Sequence, residues 1–154
     1  MDSDHAENMA PVDFSGTWEL EKSENFEKYM DILAKNENFV VRQSMKMARY
    51  AKPVQTIRQN GDKFSIETKV TFWTGKIEFT IGDDYESNER GHKLKGVGQW
   101  EGNKLVIKYE PVENPTKLHK QIITREIIDD EMVMTLELVG EEFLCKRYYK
   151  RIDA

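Results

Sequence analysis

The chain has 154 residues, of which 38% are hydrophobic and 33% are charged, and its formal net charge is −5 at pH 7. These values are typical of one globular domain that buries a substantial core, and they argue against a disordered chain. The negative charge disfavours nucleic acid as a partner, and the single cysteine excludes an intrachain disulfide. No apolar run approaches the roughly 20 residues of a membrane-spanning helix.

The N-terminal residues are polar and show no periodicity. We therefore expect residues 1–10 to form a disordered tail and residues 11–154 to form a single domain. The opening sequence MDSDHAEN has neither the basic region nor the apolar region of a signal peptide. Together with the single cysteine, this favours a cytoplasmic protein.

A short strand and two helices are predicted next. Residues 16–20 are expected to form a first strand around Trp18. Ser23 is expected to cap a first helix, and a second helix is expected over residues 39–51, ended by Lys52-Pro53. The second helix carries a basic stripe, which we interpret as a solvated helix face: Arg42, Lys46 and Arg49.

From residue 54 onward the pattern is almost entirely that of short strands. Asn60-Gly61 predicts a hairpin turn, and Thr74-Gly75 predicts another. Nine or ten such strands joined by hairpins indicate an antiparallel sandwich or barrel, with the helical pair capping one end. A closed barrel of eight or more strands leaves room for an interior ligand. Between the two named turns, one strand face is expected to be apolar: Phe64, Ile66, Thr68, Val70 and Phe72.

The last predicted strands place arginine on faces that are otherwise apolar. Arg125 alternates with isoleucines, and Arg147 lies between Cys145 and Tyr149 on its face. An unpaired guanidinium on a buried face is costly. Either an internal carboxylate or a bound anion must neutralise it, and the planar fork of arginine suits a carboxylate. The alternation by itself leaves both alternatives open.

Several stretches resemble one known family, the intracellular lipid-binding proteins, which include the fatty-acid-binding and cellular retinoid-binding proteins. GTWEL at residues 16–20 and NFEKYM at residues 25–30 resemble the N-terminal signature of that family. IRQNGDKF at residues 57–64, ITRE at residues 123–126 and CKRYY at residues 145–149 are most similar to the cellular retinoic acid-binding proteins. The resemblance covers nearly the whole chain.

The resemblance implies an all-β fold: a ten-stranded antiparallel up-and-down β-barrel (β-clam) with a helix-turn-helix lid between the first two strands. It also implies a carboxylate-binding triad, which matches Arg125, Arg147 and Tyr149 residue by residue. Retinol-binding relatives typically carry glutamine at the two arginine positions and lysine at the position of Gln55, so an acid is favoured over an alcohol. The other expected ligand contacts, for which ordinary core packing is the alternative role, are Thr68, Val70, Phe72, Met134, Leu136, Met45 and Ala48.

The resemblance therefore implies a carrier for a hydrophobic monocarboxylate. All-trans retinoic acid is the first candidate and a long-chain fatty acid is the alternative, with retinol below both. We expect a monomer in the cytoplasm and also in the nucleus, with transient contact to a membrane or a nuclear receptor. The resemblance also offers a second role for the basic stripe, as a docking surface for anionic membranes or as a nuclear-import patch. Trp73 departs from the pattern, because the retinoic acid binders usually carry an arginine there.

An enzyme, such as a small-molecule isomerase, is the remaining alternative. Cys145 shares a face with Arg147, and a nearby cation could lower the pKa of its thiol. A lone buried cysteine is more often plain packing. The sequence contains no metal-ligand cluster, phosphate-binding loop or triad spacing, so we predict a non-catalytic protein without a metal or cofactor.

Overall fold

The computed structural model describes residues 10–113 and 118–152. The tail expected over residues 1–10 lies outside the described residues except for Ala10, so its disorder stays a prediction, as does a single domain over residues 11–154. No helix in the described ranges is long and apolar enough to cross a membrane.

Two helices and ten strands make up the described chain. The helices are α1 (Phe26–Ala34) and α2 (Phe39–Ala48). The strands are β1 (Gly16–Glu24), β2 (Val54–Asn60), β3 (Lys63–Val70), β4 (Trp73–Thr80), β5 (Asp84–Glu89), β6 (His92–Glu101), β7 (Lys104–Pro111), β8 (Gln121–Ile128), β9 (Glu131–Leu138) and β10 (Cys145–Ile152).

The strands form one antiparallel sheet in the order β4-β3-β2-β1-β10-β9-β8-β7-β6-β5. Strands adjacent in the chain pair with each other except β4 and β5, and β1 also pairs with β10, so that the sheet curls into a nearly closed barrel. Among the described residues no ladder joins β4 to β5. The two helices lie between β1 and β2. The predicted ten-stranded barrel with an inserted helical pair is therefore confirmed.

The up-and-down order places alternate connections at opposite ends of the barrel. The two helices and the turns that follow β3, β5 and β9 lie at one end, here called the lid end. An aromatic cluster fills the region beside the turn between β2 and β3, at the other end. There the fully buried Trp18 donates its indole N–H to the carbonyl of Phe14 at 3.0 Å. Trp100 stacks on Phe14 and donates to the carboxylate of Asp62.

The start of the first helix differs from the sequence-based prediction. Ser23 does not cap it, because β1 continues to Glu24 and Ser23 pairs with Arg147 of β10. The residue before the helix is Asn25, which has a left-handed φ of 63°. Pairing between distant strands has overridden the local capping signal here. The second helix, expected to reach residue 51, ends at Ala48.

The turn expected at Thr74-Gly75 is also misplaced. The chain turns at residues 71–72, and β4 begins at Trp73, so Gly75 is inside a strand. The indole ring of Trp73 lies over Gly75, where an added Cβ would be 2.3 Å from Cη2 of that ring. The glycine is needed for this close approach and not for a turn.

Candidate functional site

Three neighbouring strands bring the two arginines into one row. Met134 of β9 pairs with Arg125 of β8 on one side and with Arg147 of β10 on the other. All three side chains are buried, with exposures of 4% for Arg125 and 8% for Arg147. Tyr149 follows two residues after Arg147, shares its face and is 1% exposed. The alternation predicted from the sequence thus places all of these groups inside the barrel.

Arg125 reaches across the barrel. Its Nη2 atom donates to Oε1 of Gln55 on β2 at 3.3 Å, and β2 is four strands away in the sheet order. Gln55 is buried as well. The Nε atom of Arg125 is buried and has no hydrogen-bond partner among the described residues. Most of the donor capacity of this guanidinium is therefore not used by the described part of the protein.

Arg147 contacts the end of β1 and the start of α1. Its Nε atom donates to Oγ of Ser23 at 3.1 Å, and its guanidinium carbon lies 3.7 Å from the ring centroid of Phe26. Phe26 is the first residue of α1. The contact with the ring and the hydrogen bond together restrict the position of the guanidinium.

Neither arginine forms an ion pair with a carboxylate of the described residues. Burial lowers the pKa of both guanidinium groups, and the groups that oppose this effect are tyrosines and Cys145, with no carboxylate among them. Burial likewise raises the pKa of Tyr149, against the influence of both arginines, so its hydroxyl stays a donor at neutral pH. An internal carboxylate, one of the two alternatives for neutralising these charges, is absent from the described residues around the arginines.

The remaining predicted contacts differ in their burial, and their role in binding stays a prediction. Phe72 lies in the turn between β3 and β4 at the lid end and is 51% exposed. The others are more buried: Met45, Met134 and Leu136 are buried in the core cluster, and Ala48, Thr68 and Val70 are half-buried.

The structure adds polar residues that the predicted set did not include. Gln55 shares a face of β2 with the buried Ile57, so a polar residue on an apolar face was the available signal. Ser23 gave no such signal, because its role depends on pairing with a strand more than a hundred residues away. Tyr85 and Tyr109 share a hydrogen bond inside the barrel, and their separate strands gave no indication that they meet.

Three further features concern the other roles considered from the sequence. Cys145 is fully buried, and burial raises the pKa of its thiol to about 11, which outweighs the lowering effect of Arg147. No group of residues suited to a metal ion occurs in the described ranges. In the basic stripe, Arg42 and Lys46 are exposed, whereas Arg49 forms an ion pair with Asp31 of α1.

The architecture defines a calycin-type β-barrel with two buried arginine side chains inside it that have no carboxylate partner among the described residues. The model of the Lipocalin / cytosolic fatty-acid binding protein family matches residues 15–153, and the chain belongs to that family.

Individual relatives agree with this assignment. The chain is 37% identical to sodium/calcium exchanger regulatory protein 1 of Doryteuthis pealeii, with 92% of this chain and 98% of that protein covered. It is 34% identical to cellular retinoic acid-binding protein 1 of Gallus gallus, with 90% and 97% covered. The solved structure of the REP1-NXSQ fatty acid transporter has a TM-score of 0.76 at 35% identity, with 91% of this chain and 96% of that chain covered.

Proposed function

We propose that the protein is a non-catalytic carrier that binds one hydrophobic monocarboxylate inside the barrel, with the carboxylate on Arg125, Arg147 and Tyr149. The observation that carries the proposal is the pair of buried guanidinium groups without a carboxylate partner among the described residues. A bound carboxylate would supply the missing anion and would accept hydrogen bonds from both arginines and from the tyrosine. We further propose that it acts as a cytoplasmic and nuclear monomer.

All-trans retinoic acid is the first candidate ligand, and a long-chain fatty acid is the second. The stretches around Arg125 and Arg147 favour the retinoid, whereas the similarity to a protein named as a fatty acid transporter favours the fatty acid. In either case burial of the apolar tail supplies most of the affinity, at about 25 cal/mol per Å² less the cost of ordering. The arginines then provide the preference for acids over alcohols.

The first test is a fluorescence titration of the delipidated protein with retinoic acid, retinol and oleic acid in parallel. Quenching of Trp18, Trp73 and Trp100 reports binding. We expect an acid to bind more tightly than retinol, and the better acid identifies the ligand class. Retinol binding that equals or exceeds both acids would show that the arginines are structural.

A second test removes one charge at a time. Replacing Arg147→Gln or Arg125→Gln should weaken acid binding roughly 10- to 100-fold, since each substitution removes charge-assisted hydrogen bonds, and should leave retinol binding nearly unchanged. Arg58→Gln is the matched control, because Arg58 is exposed on β2. Equal losses for acid and alcohol would contradict the proposed role of the arginines.

A further inference from the structure

A pair of tyrosine hydroxyls forms a second polar cluster inside the barrel. Tyr85 of β5 and Tyr109 of β7 both pair in register with Gly96 of β6, so they flank it on the same face. Their hydroxyl oxygens are 2.6 Å apart, and their rings meet edge to face with centroids 6.1 Å apart. Two polar side chains thus flank a central strand, in the same way that the arginines flank Met134.

Gly96 allows the two rings to meet. A Cβ atom at this position would lie 2.8 Å from Cε1 of Tyr109 and 2.9 Å from Cε1 of Tyr85, closer than real Cβ contacts. Tyr85 also stacks on Phe79 with the centroids 5.3 Å apart, and Tyr109 is only 7% exposed. The pair is therefore fixed by packing and is not a chance contact between mobile side chains.

The pair leaves one hydroxyl hydrogen without an acceptor. Each phenol donates one hydrogen bond, and whichever hydroxyl donates within the pair, the hydrogen of the other finds no acceptor among the described residues. Burial raises the pKa of Tyr85 and of Tyr109, so both keep their protons at neutral pH. A buried donor without a partner is unfavourable, and an oxygen atom of a ligand would satisfy it.

The tyrosine pair faces the same interior as Arg125. Leu105 pairs with Arg125, and Tyr109 follows four residues later on the same face of β7, which is about 13 Å along the strand. The positive charge of Arg125 also acts on the pKa of both tyrosines and partly opposes the effect of burial. A ligand chain that extends from Arg125 along β7 therefore passes the two hydroxyls.

We propose that Tyr85 and Tyr109 form a second polar anchor, and that the preferred ligand is an oxygenated monocarboxylate with a hydroxyl or keto oxygen on its apolar chain. This inference rests on the proposed function, because the arginines must hold the carboxylate for the chain to reach the tyrosines. An oxygenated fatty acid and an oxygenated retinoic acid share the required chemistry.

The test compares matched ligand pairs. The affinity of the delipidated protein is measured for stearate against a positional series of monohydroxystearates, and for retinoic acid against its keto derivative. We expect the oxygenated member of one pair to bind roughly 3- to 10-fold more tightly, as one added buried hydrogen bond allows. The pair that shows the preference identifies the source of the ligand.

Variants then locate the preference. We expect the preference for the oxygenated acid to be lost in three variants, Tyr85→Phe, Tyr109→Phe and the double variant. Binding of stearate and of retinoic acid should stay nearly unchanged in all three. Tyr29→Phe is the control, because the hydroxyl of Tyr29 already donates to the side chain of Gln121 at 3.1 Å and its loss should leave the preference intact. A melting temperature for each variant detects a merely structural role.

The outcomes separate the two proposals. If oxygenated and plain acids bind equally, or if the preference survives in the double variant, the second anchor is wrong. The carrier function still stands in that case, provided that Arg147→Gln weakens acid binding. If no acid of either pair binds, the carrier function and the second anchor both fail.

Discussion

At the scale of single residues, the two buried arginines are expected to lower protein stability in exchange for the proposed ligand binding. Among the described residues, Arg125 hydrogen-bonds to Gln55 alone, and burial lowers the pKa of its guanidinium. A buried cationic group without a counter-ion is destabilised by desolvation until a ligand supplies an anion. Such a residue is retained for function and at the expense of stability.

This argument predicts that Arg125→Met makes the ligand-free protein more stable. The substitution replaces a buried cation with an apolar side chain of similar length, and we expect a gain of about 1–3 kcal/mol in the free energy of unfolding. Urea denaturation of the delipidated protein measures the gain, with the exposed Arg58→Met as control. A clear loss of stability would mean that the charge is already neutralised inside the ligand-free protein.

A second prediction at this scale concerns Cys145. The thiol is fully buried, and burial raises its pKa to about 11, so the thiolate is scarce at neutral pH. We expect alkylation by iodoacetamide at pH 7 to be at least about 100-fold slower in the folded protein than in the urea-unfolded chain.

Mass spectrometry follows the extent of Cys145 alkylation with time, and Cys145→Ser should retain ligand binding. Rapid alkylation of the folded protein, together with loss of binding in the serine variant, would favour the enzymatic alternative.

At the scale of the elements, the carboxylate of Glu37 links the two helices of the lid to the barrel. Glu37 lies in the connection between α1 and α2, where its carboxylate accepts from Nε of Arg90 at 2.7 Å and lies 3.0 Å from Nε2 of His92. Both partners belong to the turn between β5 and β6 and the start of β6. Arg90 also contacts Glu89, so the cluster joins the helical connection to the hairpin.

Replacing Glu37→Gln should loosen the lid. Hydrogen bonds to charged groups are lost, so we expect a decrease of about 1–3 kcal/mol in the free energy of unfolding and faster ligand dissociation. Stopped-flow dissociation and urea denaturation measure the two effects. Glu27→Gln on the exposed side of α1 is the control. Unchanged dissociation would show that the cluster does not control access to the interior.

The same cluster has a defined pH dependence. Burial alone would raise the pKa of Glu37, but the hydrogen bonds from Arg90 and His92 outweigh it and lower the pKa. Its contribution to stability is therefore fully present above the ordinary carboxyl pKa of 4.5 and is lost as the pH falls through the lower value in the folded protein. We expect Glu37→Gln to remove this contribution to the decrease in the free energy of unfolding at acid pH, as measured by urea denaturation at a series of pH values.

The elements also show which features of the fold and the site could be predicted from the sequence and which could not. Alternation along β8, β9 and β10 predicted the inward faces of Arg125, Met134 and Arg147, because the two-residue period is local. The cap predicted at Ser23 failed because pairing with β10 extends β1. The contact between Arg125 and Gln55 joins strands on opposite walls, and its geometry depends on the curvature of the whole barrel, which no local pattern encodes.

At the scale of the whole molecule, the described part of the sheet is interrupted between β4 and β5. Among the described residues β4 pairs only with β3, and β5 pairs only with β6, whereas β9 is hydrogen-bonded on both sides. Gly82, between β4 and β5, instead donates its amide to the carbonyl of Gly98 at 2.9 Å. In the described residues, hydrogen-bonded strand pairs therefore run around the barrel except between β4 and β5, here called the seam.

We therefore expect backbone amides of β4 and β5 to exchange with deuterium sooner than those of β9. Edge strands open locally at lower free energy than strands with two partners. Hydrogen exchange followed by mass spectrometry on the ligand-free protein tests this, with β9 as the internal reference. Equal protection of all ten strands would mean that the seam is closed in solution.

The contact between Arg147 and the start of α1 gives the interior a connection to the outer surface. The guanidinium that is proposed to bind a carboxylate also packs on the ring of Phe26 and donates a hydrogen bond to Ser23. Coupling between two such contacts is reciprocal, so a ligand that alters one must alter the free energy of the other. If a carboxylate binds Arg147 as proposed, we expect the first turn of the lid to change with occupancy, so that a partner that contacts only the outside of the protein could distinguish the loaded state from the empty one.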